Sequence, residues 1–126
     1  MPKIGFTVGI WDRLHSGHIN ILTESKLHCD HLVVGIMNDY WCNVQKGHNI
    51  GIQSLQLRME NLRNSNLADK IIILDTLDMY PYLQMADVWI KGEDQKNMKP
   101  DTWNGTVYIK RTEGISSTKL RKSEKI

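Results

Sequence analysis

Lys3-Ile-Gly-Phe-Thr-Val8-Gly9-Ile-Trp11-Asp12-Arg-Leu-His15-Ser-Gly17-His18 changes its pattern halfway. Lys3 to Val8 has the short apolar run of a strand, and Gly9 ends it. Ser16 to Leu27 then places Ile19, Ile21, Leu22 and Leu27 roughly along a helical stripe, with Ser16 as the expected cap. A strand that turns directly into a helix is the first half of a β-α-β unit, so the stretch predicts a parallel sheet.

The rest of the chain repeats that alternation. His31 to Met37 (HLVVGIM) is nearly continuous in apolar residues, as a strand buried on both faces must be. Asn38 to Gly51 reads as irregular and polar, and Leu55 to Leu67 as a helix carrying Arg58 and Arg63. Lys70 to Leu74 (KIIIL) is a third strand. Asp78 to Met85 reads as a helix with Pro81 in its first turn, where a missing N–H does no harm. Asp87 to Ile90 is a fourth strand, Thr106 to Ile109 a fifth, and Ser116 to Ser123 a last helix. The expectation is a single α/β domain over residues 1–126, with a five-stranded parallel sheet and helices on both faces. In such sheets ligands bind beyond the carboxyl ends of the strands, where strand order reverses.

Composition narrows the partners. The 126 residues suit one domain, and 40% hydrophobic content is enough for one core. Sixteen basic and 14 acidic residues leave a formal charge of +2, with no general attraction to nucleic acid or membrane. Two cysteines make no disulfide framework and fit a reducing cytosol. The first residues lack the pattern of a signal peptide, and no apolar run approaches the roughly 20 residues that cross a bilayer. A soluble, cytoplasmic protein is expected.

His15 and His18 stand three residues apart at a helix start, which puts both imidazoles on one side. Gly17 allows close approach, and the helix start adds N–H groups and partial positive charge, a combination suited to phosphate. Zinc would need a third ligand, for which only Asp12 is near. Surface histidines beside a turn are the plain alternative. Near the other end, Arg111-Thr-Glu-Gly114-Ile115-Ser116-Ser117-Thr118 places a fixed cation, a permissive glycine and three hydroxyls before the last helix. An ordinary capped helix would look similar. His28-Cys29-Asp30-His31 lies at the opposite end of the sheet and reads as helix-end histidines with a small thiol. Trp41, Trp89 and Trp103 read as packing aromatics.

Together the two motifs resemble the signatures of the cytidylyltransferase family: Gly-x-Phe-Asp-x-x-His-x-Gly-His, here with Trp11 for Phe, and Arg-Thr-Glu-Gly-Ile-Ser-Thr-Thr, here RTEGISST. By length and pattern the chain is most similar to bacterial glycerol-3-phosphate cytidylyltransferases. The resemblance implies a Rossmann-like homodimer that transfers CMP from CTP to a phosphorylated polyol and releases pyrophosphate. Magnesium would be held mainly by the triphosphate. It also implies that His15, His18, Lys46 and Arg111 act at the phosphates. Gly9, Ile10, Trp11, Asp12, Gly17, Arg58, Arg63, Gly92, Asp94, Gly114, Ile115, Ser116, Ser117 and Thr118 would line the substrate and nucleotide site. Asn66 stands where relatives have an arginine, Arg63 one turn earlier could substitute only if the helix geometry differs, and Gln95 replaces a tryptophan. Two other readings remain open: adenylyl transfer from ATP, as in related enzymes acting on heptose phosphates, flavin mononucleotide or pantetheine phosphate, and a non-catalytic nucleotide-binding module.

Overall fold

The computed structural model describes residues 2–46, 52–76, 78–92 and 103–109, and the side chains of 43–46 lie outside that description. Five strands, β1 (Ile4–Gly9), β2 (His31–Met37), β3 (Lys70–Leu74), β4 (Val88–Gly92) and β5 (Thr106–Ile109), form one sheet in the order β3-β2-β1-β4-β5. Every pairing is parallel. The chain builds outward from β1 to β2 and β3, then crosses back to place β4 on the other side of β1. The reversal therefore falls between β1 and β4. Thr7 pairs with Ile90, and the same register carried forward sets Gly9 opposite Gly92 at the carboxyl edge.

Helices cover both faces because the strands bury both faces. Leu32, Val34 and Ile36 of β2 and Ile90 of β4 pack with Leu22 of α1 (Ser16–Lys26) and Leu62 of α3 (Leu55–Ser65). Phe6 and Val8 of β1, Met37, Leu74 and Trp89 pack on the other side with Cys42 of α2 (Asp39–Lys46) and with Met79 and Leu83 at α4 (Tyr80–Leu83). Each such residue, fully buried, contributes about 1.5–3 kcal/mol. The apolar stripe of α1 is narrower than its sequence suggests: Leu22 is buried, whereas Ile19 and Leu27 are exposed.

Several boundaries differ from expectation. The segment read as irregular after β2 begins with α2, because the Asn38 side chain accepts from the Trp41 N–H at 2.9 Å and its carbonyl accepts from Cys42. The N-cap of α1 is His15, not Ser16. Helix α3 stops at Asn66, which takes the left-handed conformation (φ 59°) that asparagine tolerates. The helix expected over 78–85 is a single turn, and β4 continues to Gly92. The expected last helix, Ser116 to Ser123, lies outside the described residues.

Candidate active site

The link from β1 to α1 is tightly constrained. Trp11 and Arg13 both have positive φ, 59° and 48°, on either side of Asp12. Left-handed backbone costs an ordinary residue about 1–2 kcal/mol, so surrounding contacts must impose it. The Trp11 indole N–H donates to the Gly35 carbonyl at 3.0 Å. Its ring lies against Gly9, where an added Cβ would stand 3.1 Å from Trp11 Cε2. The Arg13 N–H donates to Gln53 Oε1 at 2.9 Å, and the Gln53 N–H donates to Asp12 Oδ1 at 2.9 Å. Asp12 is buried and also pairs with the Arg13 guanidinium at 3.1 Å.

This turn delivers the two histidines. Their rings stack with centroids 3.9 Å apart, and the edge of His18 meets Trp11 at 5.4 Å. The pair caps its own helix: His15 Nδ1 accepts from the Gly17 N–H at 3.0 Å, and His18 Nδ1 accepts from the His15 N–H at 3.3 Å. A ring nitrogen that accepts carries no proton, so each neutral imidazole holds its hydrogen on Nε2. Burial, reinforced by His15 and opposed by the charge of Asp12, lowers His18 from 6.5 to about 3. At neutral pH His18 is therefore an uncharged N–H donor at a helix N-terminus, on the carboxyl edge of the sheet. Such a group can hold a phosphate oxygen but is no reservoir of protons.

Arg58 and Arg63, both expected to touch substrate, differ in their surroundings. Arg58 is wholly buried. Its guanidinium donates to the carbonyls of Gln53 (2.9 Å), Ile10 (2.9 Å) and Met37 (2.8 Å), and to Asp39 Oδ1 (2.7 Å). It closes the carboxyl ends of β1 and β2, so the expected phosphate clamp gives way to a structural role. Arg63 is exposed in the last turn of α3, about 14 Å along the axis from its N-cap Ser54 at 1.5 Å per residue. Gln53, just before that N-cap, meets the β1 turn, so Arg63 sits at the other end of α3 from that contact. Gly9, Ile10, Trp11, Asp12 and Gly17 lie in the stretch that joins the end of β1 to the first turn of α1.

Gly92 ends β4 beside the strand-order reversal, and Lys91 before it is fully buried with its Nζ 4.1 Å from the Trp89 ring centroid. Sequence reading passed over Lys91, although a lysine ending an apolar strand (VWIKG) is a visible irregularity. It also passed over Gln53, whose partners lie 40 and 41 residues away. Lys46 ends α2, with its side chain outside the described residues. Asp94, Arg111, Gly114, Ile115, Ser116, Ser117 and Thr118 also lie outside them. Trp41 packs beside the core and donates to the Asp75 carbonyl, Trp89 is core, and Trp103 packs against that same cluster. Among the described residues no group of three or more His, Cys, Asp or Glu could hold a metal, and none of their helices is long and apolar enough to cross a membrane.

Comparison with known proteins follows the same outline. A family model described as cytidylyltransferase-like matches residues 6–123. The bifunctional protein HldE of Hyphomonas neptunium is 41% identical over 95 residues, covering 73% of this chain and 19% of that protein. HldE of Paramagnetospirillum magneticum is 36% identical over 116 residues, covering 85% and 24%. The chain thus spans about a fifth to a quarter of the length of these relatives. The crystal structure of the lipopolysaccharide core biosynthesis protein from Thermoplasma volcanium superposes with a TM-score of 0.68 at 26% identity, covering 89% of this chain and 98% of that one. A bifunctional NMN adenylyltransferase/ADP ribose pyrophosphatase from Francisella tularensis, complexed with AMP and a manganese ion, shares the fold (TM-score 0.66, 13% identity, 98% and 41% covered).

Proposed function

The chain belongs to the cytidylyltransferase-like family, and from that premise we propose that it transfers a nucleotidyl group, AMP from ATP, to a phosphorylated sugar and releases pyrophosphate. The observation that carries this reading is the stacked His15–His18 pair, each accepting a backbone N–H at Nδ1, at the carboxyl edge of β1. An oxygen of the acceptor phosphate attacks the α-phosphorus in line. The new P–O–P bond forms as the bond from the α-phosphorus to the bridging oxygen of pyrophosphate breaks. The attacking oxygen is already an anion, so no strong base is required. The protein aligns two anions and stabilises charge spreading over the transferring group. His18 and His15 do this as preorganised neutral donors, with Lys46 and Arg111 neutralising the triphosphate.

Support for ATP and a sugar phosphate comes from the similarity to HldE proteins and to a lipopolysaccharide core biosynthesis protein, together with the related adenylyltransferases that act on heptose phosphates. A second reading, CMP transfer from CTP to glycerol 3-phosphate, is favoured by the segment Arg111 to Thr118. Magnesium belongs to either version. The Asp12 carboxylate is taken by Arg13 and Gln53, and both histidine Nδ1 atoms by backbone N–H groups, which suits an ion carried by phosphate oxygens and water rather than a protein cage. Such an ion would neutralise developing charge on the phosphates. One domain over residues 1–126, acting as a homodimer, completes the proposal.

Pyrophosphate release with ATP or CTP, each against heptose phosphates and glycerol 3-phosphate, tests it. ATP with a heptose phosphate is expected to turn over fastest. CTP with glycerol 3-phosphate alone would install the second reading, and nucleotide binding without turnover would leave a binding module.

A further inference from the structure

We propose that Gln53 is a positioning residue for the two histidines, acting through the left-handed turn that precedes them. Its turnover readout rests on the nucleotidyltransferase reading above. Gln53 meets the turn at two places and Arg58 at a third. Its N–H donates to Asp12 Oδ1, its side-chain Oε1 accepts from the Arg13 N–H, and its carbonyl accepts from Arg58 Nε. Any residue could supply the first and third of these from its main chain. The second needs a side-chain oxygen at that reach, which glutamine and glutamate offer and a shorter or apolar side chain does not.

Arg13 is where that oxygen matters. It holds φ at 48°, a conformation that L-residues leave unless fixed. Its N–H lies two residues before His15, whose own backbone (φ −133°, ψ 180°) starts α1 and whose N–H orients the His18 ring. With the Oε1 contact removed, Arg13 is free to relax toward ordinary backbone angles, and the displacement reaches the histidine stack through Leu14. Gln53 is not needed to touch substrate for this. It fixes the geometry in which the two imidazole rings stack.

The test uses the full chain with Gln53→Ala and Gln53→Glu. A misplacement on the order of 1 Å at reacting groups is worth up to about a hundredfold in rate, so Gln53→Ala is expected to lower kcat by about tenfold or more, with little change in the nucleotide KM. Gln53→Glu, which keeps the acceptor, restores kcat. Hydrogen exchange follows the same division: the Arg13 amide is protected in the parent and in Gln53→Glu, and loses protection in Gln53→Ala. A Gln53→Ala variant with parental kcat and a protected Arg13 amide would overturn the proposal, as would a Gln53→Glu variant as impaired as Gln53→Ala. Should the parent chain turn over no triphosphate, the functional reading fails while Arg13 exchange and the histidine ring resonances of the three proteins still decide the role of Gln53.

Discussion

The amino and carboxyl edges of the sheet meet the same difficulty, strand ends with unpaired backbone groups, in opposite ways. At the amino edge the free groups are N–H donors, and carboxylates answer them: Asp30 accepts from Lys3, Asp87 from Ile4 and Asp69 from Leu32, at 2.7–2.8 Å. All three aspartates are exposed, and the Lys26–Asp69 pair at 3.4 Å is open to water. At the carboxyl edge the free groups are carbonyls, and one buried guanidinium answers them. Asp12 is buried at the same edge, and His18 is half-buried there. Water at the first edge can replace a lost partner. At the second it cannot reach Arg58 or Asp12, so those groups depend on their neighbours. The difference teaches where buried polar contacts are concentrated: at the edge that carries the two imidazoles.

The largest consequence concerns Arg58. Arg58→Met removes the donor from three carbonyls and from Asp39, and should destabilise the fold by about 3–5 kcal/mol in denaturant unfolding, since each buried acceptor left without a partner costs about 1–3 kcal/mol. A loss below about 1 kcal/mol would erase the contrast between the edges. Next, His18→Ala should lower turnover about a hundredfold or more while nucleotide binding changes less, as for other preorganised donors. Normal turnover with the true substrates would remove His18 from the site.

Acidification gives a third, smaller effect. The folded state holds His18 at about 3 against 6.5 unfolded, so its contribution is complete above pH 6.5 and is lost as pH falls toward 3. Between pH 7 and 5 this linkage amounts to about 2 kcal/mol, and His18→Asn should lose that share of the pH dependence. Equal pH dependence in both proteins would contradict it. The smallest effect belongs to the amino edge: Asp30→Ala should cost below about 1 kcal/mol by the same unfolding measurement, because its site is solvated. A cost matching that of Arg58→Met would make the two edges alike.

What the sequence revealed and what it hid follows from range. β2 was legible because burial on both faces leaves an unbroken apolar run, and the imidazole pair because three residues along a helix bring side chains together. Helix α2 was hidden in a polar stretch whose one local clue was Asn38 as a cap. Arg58 looked like a phosphate ligand because a helix position shows neither its exposure nor the carbonyls of Ile10 and Met37 converging on it. Gln53 was missed for the same reason, its partners being distant in the chain. RTEGISST pointed to CTP, whereas the relatives that match most of this chain include HldE proteins, so the base and acceptor were the least legible features.

The most direct test is a pH titration of the chain labelled with 15N in its histidines. His18 should appear as a neutral imidazole with hydrogen on Nε2 at pH 7 and remain so at pH 5. A His18 ring that gains a proton near pH 6.5, or that carries its hydrogen on Nδ1 at neutral pH, would contradict a site built on preorganised neutral donors.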